Sequence, residues 1–239
     1  GALIFDTQQG VVTDGGMAIY RGTCDNLVLI ECDDDDSPNG LMPRIMRFDL
    51  IATETIWVRF WEYGGNNNGT FNICVTTPPP PPSNDDPCNA VSLTVGNAVC
   101  NYTQFTNAFA GNSTGVPAPG CANYQGGDVW FTVTVPAGGA LNFNTQQGVV
   151  TDGGMAIYSG SCDNLNLIDC DDDDSQNGLM PMIMSTGLTP GATIWIRVWE
   201  NGNNNNGTFG ICVNTPPPAP GNDDPCGAIN INAAYTCNY

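Results

Sequence analysis

Residues 1–88 and 139–226 of this 239-residue chain are one sequence written twice: aligned without a gap at an offset of 138, they match at 65 of 88 positions. TQQGVVTDGGMAIY stands unchanged at 7–20 and 145–158, and CDDDDS at 32–37 and 170–175. Self-similarity at a fixed period marks an array of like modules, and 138 residues is an ordinary domain length. The phase carries as much as the period. The chain opens part-way through one repeat, runs through a whole one at roughly 84–221, and stops 18 residues into a third. That suits a segment of a longer tandem protein, or a protomer completed by a neighbour, better than a free-standing enzyme.

Proline runs at 76–88 and 214–226 separate the copies. Such runs adopt an extended polyproline helix of about 3.1 Å per residue and act as semi-rigid spacers. The expected divisions are an incomplete repeat at 1–77, a linker at 78–87, a complete repeat at 88–215 and a second linker at 216–225. Residues 226–239 then form the first strand of a next repeat, donated to a neighbouring copy. Inside the complete repeat, β-rich runs recur between turn residues at 90–95, 129–135, 141–146, 154–159, 164–170, 179–184, 193–199 and 207–213. Eight strands with no helical period predict an all-β fold, a tandem of antiparallel β-sandwiches. In 193–199, alternation places Ile194, Ile196 and Val198 on one face and Trp195, Arg197 and Trp199 on the other.

Twenty-four acids stand against five bases, all arginine, for a net charge of −19 with neither lysine nor histidine. That balance argues against nucleic acid and anionic membrane surfaces, which demand basic patches. It favours divalent cations. No apolar run approaches the length of a membrane span. Without histidine, the commonest general base and zinc ligand is missing, and no enzyme is expected. Eleven cysteines with no CxxC pair read as a disulfide framework, hence an oxidising, extracellular compartment. Their odd number leaves one or more with a partner outside the chain, unless as a free thiol.

The series NDDPC (84–88), GGDVWFTVTVP (126–136), GMAIYSGSC (154–162), LIDCDDDDS (167–175), GLTPG (187–191), TIWIRVWE (193–200) and GTFGICV (207–213) resembles repeats of large secreted surface proteins of Bacteroidota. Those proteins are typically exported by the type IX secretion system. Their repeats are related in style to pre-peptidase C-terminal and CUB-like β-sandwich domains. The resemblance spans the whole repeat and implies a jelly-roll or CUB-like sandwich. It says little about activity, since such modules serve as stalks, adhesive units and appendages of secreted enzymes.

Two acidic loops offer chemistry: Asp33, Asp34, Asp35 and Asp36, and their copies Asp171, Asp172, Asp173 and Asp174. Adjacent carboxylates raise one another's pKa unless a cation neutralises them, and Ca²⁺ takes six to eight hard oxygen ligands. Asp14, Glu62, Asp152 and Glu200 are candidate ligands from neighbouring loops, so one Ca²⁺ per acidic loop is expected. Trp57 and Trp61, and Trp195 and Trp199, share a strand face with Arg59 or Arg197 between them. Exposed, such a pair stacks on sugar rings; buried, it is packing.

Disulfides are expected at Cys24–Cys32 and Cys162–Cys170, each bracing an acidic loop, and at Cys88–Cys212 and Cys100–Cys121, with other pairings among the last four open. Cys74 is left an orphan, as are Cys226 and Cys237, and donation of the tail to a next copy would allow Cys226–Cys74. The resulting reading is a non-enzymatic structural subunit of an extracellular filament or surface stalk, partnered by copies of itself head to tail. A carbohydrate-binding or adhesive module, with glycans as partners, and an appendage of a secreted hydrolase are the alternatives.

Overall fold

The repeated sequence folds into the same six strands twice. The structure, a computed structural model, describes residues 1–217, 220 and 222–231, and divides into two units, Gly1–Pro80 and Pro81–Tyr239. In the first, β1 (Leu3–Gln9), β2 (Gly15–Thr23), β3 (Asn26–Asp33), β4 (Arg44–Arg47), β5 (Trp57–Glu62) and β6 (Phe71–Thr76) make two three-stranded antiparallel sheets, ordered β4-β1-β6 and β3-β2-β5. Their inner faces meet at Phe5, Met17, Ile19, Ile45 and Leu50.

The second unit adds four strands before its copies of those six: β7 (Val91–Ser92), β8 (Val95–Gly96), β9 (Thr103–Thr106) and β10 (Val129–Thr134). The six follow as β11 (Leu141–Gln146), β12 (Gly153–Ser161), β13 (Asn164–Asp171), β14 (Met182–Ser185), β15 (Thr193–Glu200) and β16 (Thr208–Asn214). One sheet runs β13-β12-β15-β10-β7 and the other β14-β11-β16-β8, with β9 also on β16. Alternate residues of β10, β12 and β15 interdigitate with those of β11, β14 and β16, burying Phe131, Met155, Ile196, Phe143, Ile183 and Phe209 among others. Two packed sheets around one apolar layer make a β-sandwich. The fold is all-β.

The antiparallel expectation needs one amendment, because β7 pairs parallel with β10 and β8 parallel with β16. Residues 90–95, read as one strand, serve both sheets: β7 lies on one and β8 on the other, with Leu93 N donating to Thr132 O at 2.7 Å between them. A strand that changes sheet closes a sandwich corner. Strand β9 has no counterpart among the expected eight, since TQFT is short and mostly polar. Asn84, within the stretch read as spacer, is built into the second unit: its carbonyl accepts from Trp130 N at 2.8 Å and its Nδ2 donates to Trp130 O at 3.0 Å.

Two glycines are placed by need. Gly160 closes the β12–β13 hairpin at φ +111°, where an added Cβ would fall 2.2 Å from Asn164 O, a conformation open mainly to glycine. Gly154 on β12 lies under the Trp199 indole, and a Cβ there would sit 2.3 Å from its Cε2.

Candidate functional site

In the second unit the β13-β12-β15-β10-β7 sheet is packed on both faces. One face feeds the sandwich core; the other carries Trp195, Arg197 and Trp199 from β15, Ala156 and Tyr158 from β12, Leu165 and Cys170 from β13, and Trp130 from β10. The segment 107–128 lies over it, seating Val116, Cys121, Ala122 and Tyr124 against those side chains. Alternation alone placed the Trp–Arg–Trp row correctly on one face. It could not say that a remote loop would cover the row.

A buried ion pair fastens the cover. Asp128 and Arg197 are both essentially inaccessible, with Arg197 Nε donating to Asp128 Oδ2 at 2.9 Å. Ser113 Oγ donates to the same oxygen at 2.7 Å and Trp130 Nε1 at 2.9 Å. The other oxygen accepts from Tyr124 O–H at 2.6 Å and Ser113 N at 3.2 Å. The guanidinium also donates to the Tyr124 hydroxyl and stacks 4.1 Å from that ring and 5.2 Å from Trp130. Burial alone would lower the Arg197 pKa, but the Asp128 charge and hydrogen bond outweigh it and leave it raised. Burial, then the bond to Asp128, holds the Tyr124 hydroxyl well above its ordinary range. With every acceptor site on Asp128 taken, the cluster is a clamp. Asp128 was missed in the sequence; its signal was a lone acid between Gly-Gly and an apolar strand, with a single arginine on the strand destined to pair.

The disulfides correct the expected pairing. They join Cys88–Cys162, Cys100–Cys212 and Cys121–Cys170, with Cα separations of 4.9, 5.7 and 6.1 Å. Cys162–Cys170 and Cys24–Cys32 do not form, because Cys162 and Cys24 sit in the hairpin turn while Cys170 and Cys32 lie far along the same arm, β13 or β3. Six extended steps separate the sulfurs by about 20 Å, far outside disulfide reach. Cys88–Cys212 gives way because the turn at Pro87–Asn89 sits beside the β12–β13 hairpin. Cys100–Cys121 gives way because β8 runs alongside β16 and brings Cys100 to Cys212. Every bond therefore crosses between segment 84–138 and the repeated half.

In the first unit Cys24, Cys32 and Cys74 are exposed and unpaired, as is Cys226 in the second. Among the described residues this unit has no counterpart of β7–β10 or of the cover. Its equivalent face is open: Trp61 is 38% exposed where Trp199 is 0%, and Leu27 is 42% where Leu165 is 6%. Trp57 and Arg59 are exposed too, the Arg59 guanidinium 5.6 Å from the Trp61 ring. Val75 on β6 is 49% exposed where Val213 on β16 is 3%. The second unit's tail, Cys226 and Ile231 included, is exposed, while Cys237 and the rest of 232–239 lie outside the described residues.

The acidic loops are built alike. Asp33 Oδ2 accepts from Asp36 N and Arg44 N at 3.3 and 2.8 Å, and Asp171 Oδ2 from Asp174 N and Met182 N at 3.1 and 2.9 Å. The first aspartate thus holds the loop, and Asp34, Asp35, Asp36, Asp173 and Asp174 point to solvent. Desolvation first, then the neighbouring carboxylates, hold Asp35 and Asp173 above the ordinary range; Asp14 contributes to the first and Asp152 to the second. Glu62 and Glu200 are used elsewhere, accepting from Asn66 N at 2.9 Å and Asn204 N at 2.7 Å. The oxygen-rich donor set fits a hard cation. Among the described residues, however, no three carboxylates come within 4.8 Å of one another; the one trio that close is Cys88, Cys162 and Asp163, whose sulfurs are already bonded.

No family model matches the chain, and no curated protein matches it. Among solved structures it is similar to the pre-peptidase C-terminal domain of a collagenase from Bacillus anthracis, at 11% identity and a TM-score of 0.31, covering 52% of this chain and 95% of that domain. It is also similar to a structure of infectious bursal disease virus, Gt strain, at 12% identity and a TM-score of 0.25, covering 95% of this chain and 58% of that one. The fold assignment rests on the strand pairing described above. Among the described residues, no helix is long and apolar enough to cross a membrane.

Proposed function

We propose that this chain is a non-enzymatic structural unit of an extracellular filament or surface stalk, built of β-sandwich repeats joined head to tail. One observation carries the reading. The same six strands recur in both units with the same registers, on sequences that match at 65 of 88 positions. Near-identical modules present equivalent surfaces at a fixed spacing, which a fibre needs and a single binding site does not, and a contact between unlike surfaces propagates linearly unless rotation closes it. Three disulfides in one unit support an oxidising exterior, and the motif resemblance to exported Bacteroidota surface repeats points the same way. Ca²⁺ enters this reading as an ion that would gather Asp33–Asp36 and Asp171–Asp174 by neutralising their mutual repulsion.

Electron microscopy and sedimentation of the full chain, concentrated in an oxidising buffer, test the reading. Linear strings of domains are expected. Monodisperse single chains at every concentration would sink it. A second reading has its own observation: exposed Trp57 and Trp61 flanking Arg59 suit stacking on a sugar ring. Saturable glycan binding abolished by Trp61→Ala, in a chain that does not assemble, would favour it.

A further inference from the structure

We infer that the outer edge of β13 in the second unit is a docking site for a short, extended, basic polypeptide segment, which adds to the sheet as a further strand. Such a contact goes beyond any end-to-end joining of repeats and does not require it.

Two open sheets have two edges each, and this unit shortens all but one. Strands β7 and β8 are two residues long, and β9 and β14 four. Strand β13 runs for eight residues and pairs with β12 alone. Natural sheets blunt an edge by shortness, by proline or lysine in the strand, or by a covering segment. The sequence NLNLIDCD has neither proline nor lysine. The cover 107–128 packs on the face of this sheet, and among the described residues no backbone group of 164–167 bonds beyond β12.

One guard is present, and it sets the length of the site. Leu167 stands opposite Tyr158 and Asp169 opposite Ile157, which leaves Ile168 as a bulge without a partner. A bulge ends regular pairing. Past it, Cys170 N donates to Asp169 Oδ1 at 2.9 Å and so is already occupied. The free run is therefore 164–167, with Leu167 and Ile168 exposed at its end. Disulfides hold the run on either side, Cys88–Cys162 just before β13 and Cys121–Cys170 near its end. An edge fixed at both ends loses little further freedom when a partner pairs with it, which is the advantage of a preorganised site.

Charge selects the occupant. Asp163 precedes the free run, Asp169 follows it, and Asp171–Asp174 come next. The one base in 81–239 is Arg197, which is buried and bound to Asp128. A second copy of this edge would set like charges against each other across the new ladder, which is destabilising. A strand with lysine or arginine at alternate positions brings the opposite charge. It gains ladder bonds along 164–167 and apolar contact with Leu167 and Ile168. Main-chain bonds then supply affinity and side chains supply choice, as in other β-strand additions. The first unit repeats the edge as β3, but there Arg21 lies opposite Val28 and Arg47 Nη1 bonds Glu31 at 3.0 Å. A basic strand should therefore prefer β13.

The test titrates the full, oxidised chain with the synthetic peptide Lys-Val-Lys-Val-Lys at low ionic strength, read by calorimetry and hydrogen exchange. Saturable binding is expected, with amide protection gained in 164–167 before 26–29 and weakened by added salt. The same peptide N-methylated at alternate amides keeps its charge but cannot complete a ladder, and should bind several-fold more weakly, as should Glu-Val-Glu-Val-Glu. Asn166→Lys and Leu167→Lys change exposed side chains. Each should weaken binding several-fold without moving the melting temperature. Equal binding of the N-methylated peptide would mean that the acidic loops merely attract cations, and it would overturn the inference. No binding, or protection appearing away from β13 and β3, would do the same. Chains that protect 164–167 by pairing with one another before any peptide is added would overturn the basic occupant and assign the edge to a second copy.

Discussion

Replacing Asp128 by Asn should cost the second unit about 3–5 kcal/mol, the usual penalty for removing one partner of a buried ion pair. The magnitude follows from the geometry. Asp128 receives five hydrogen bonds, from Ser113 N and Oγ, Tyr124 O–H, Trp130 Nε1 and Arg197 Nε. An asparagine keeps the shape but turns one oxygen into a donor. Facing the Oδ2 side, that NH₂ meets the donors of Trp130 and Arg197; facing the Oδ1 side, it meets Ser113 N. In either orientation Arg197, 1% exposed, keeps its charge without a counter-ion. Against a typical domain stability of 5–15 kcal/mol, the unit should stay folded but melt much earlier. Denaturant titration with hydrogen exchange read on peptides from β10 and β15 separates this unit from the first, where β5 serves as the internal control. The double variant Asp128→Asn with Arg197→Met should recover most of the loss, because an apolar pair carries no desolvated charge. A single-variant cost below about 1 kcal/mol, or a double variant no better than the single, would refute the clamp.

Gly154→Ala should destabilise the second unit by about 1–3 kcal/mol through overpacking, since the new Cβ would sit 2.3 Å from the Trp199 ring and 2.5 Å from Ala122 Cβ. Gly16→Ala should cost less, because Trp61 is half-exposed and free to move aside; equal melting shifts would contradict this. Raising the pH through the ordinary tyrosine range should destabilise the second unit, because burial holds Tyr124 and Tyr158 neutral while the unfolded chain ionises. The Tyr124→Phe variant should flatten that alkaline slope, and an unchanged slope would count against the assignment. At the acidic loops the sign is also fixed: carboxylates held above their unfolded pKa favour the native state at low pH, and that advantage fades as pH rises through the interval between the two values. Ca²⁺ should therefore raise the melting temperature at pH 7 and leave it unchanged near pH 3, while a melting curve at pH 7 indifferent to EGTA would remove calcium from the account.

How far the sequence could be read depended on range. Strands with strong alternation, such as Thr193–Glu200, were legible to within a residue or two, because the period is local and the side chains report their own face. Strand β9 and the cover 107–128 were not, because their placement depends on Cys121, Asp128 and Tyr124 meeting partners 49, 69 and 73 residues away. The cysteine pairing failed for a related reason. Cys162 and Cys170 are close in sequence, but an extended strand turns eight residues into distance rather than contact. The Trp–Arg–Trp row lay between the two cases: its shared face followed from alternation, but its burial in the second unit depends on the segment 107–128, remote from it in sequence.

The cysteine arrangement has its own logic. Cys24 lies at one end of β3 and Cys32 toward the other, while Cys74 lies on β6, in the other sheet of the sandwich. Their equivalents Cys162, Cys170 and Cys212 are spread the same way, so none of them bonds another, and each pairs instead with a cysteine of segment 84–138. The three bonds tie that segment to both sheets at once. They span sequence separations of 74, 112 and 49 residues, and loops of that length are where a cross-link removes most freedom from the unfolded chain.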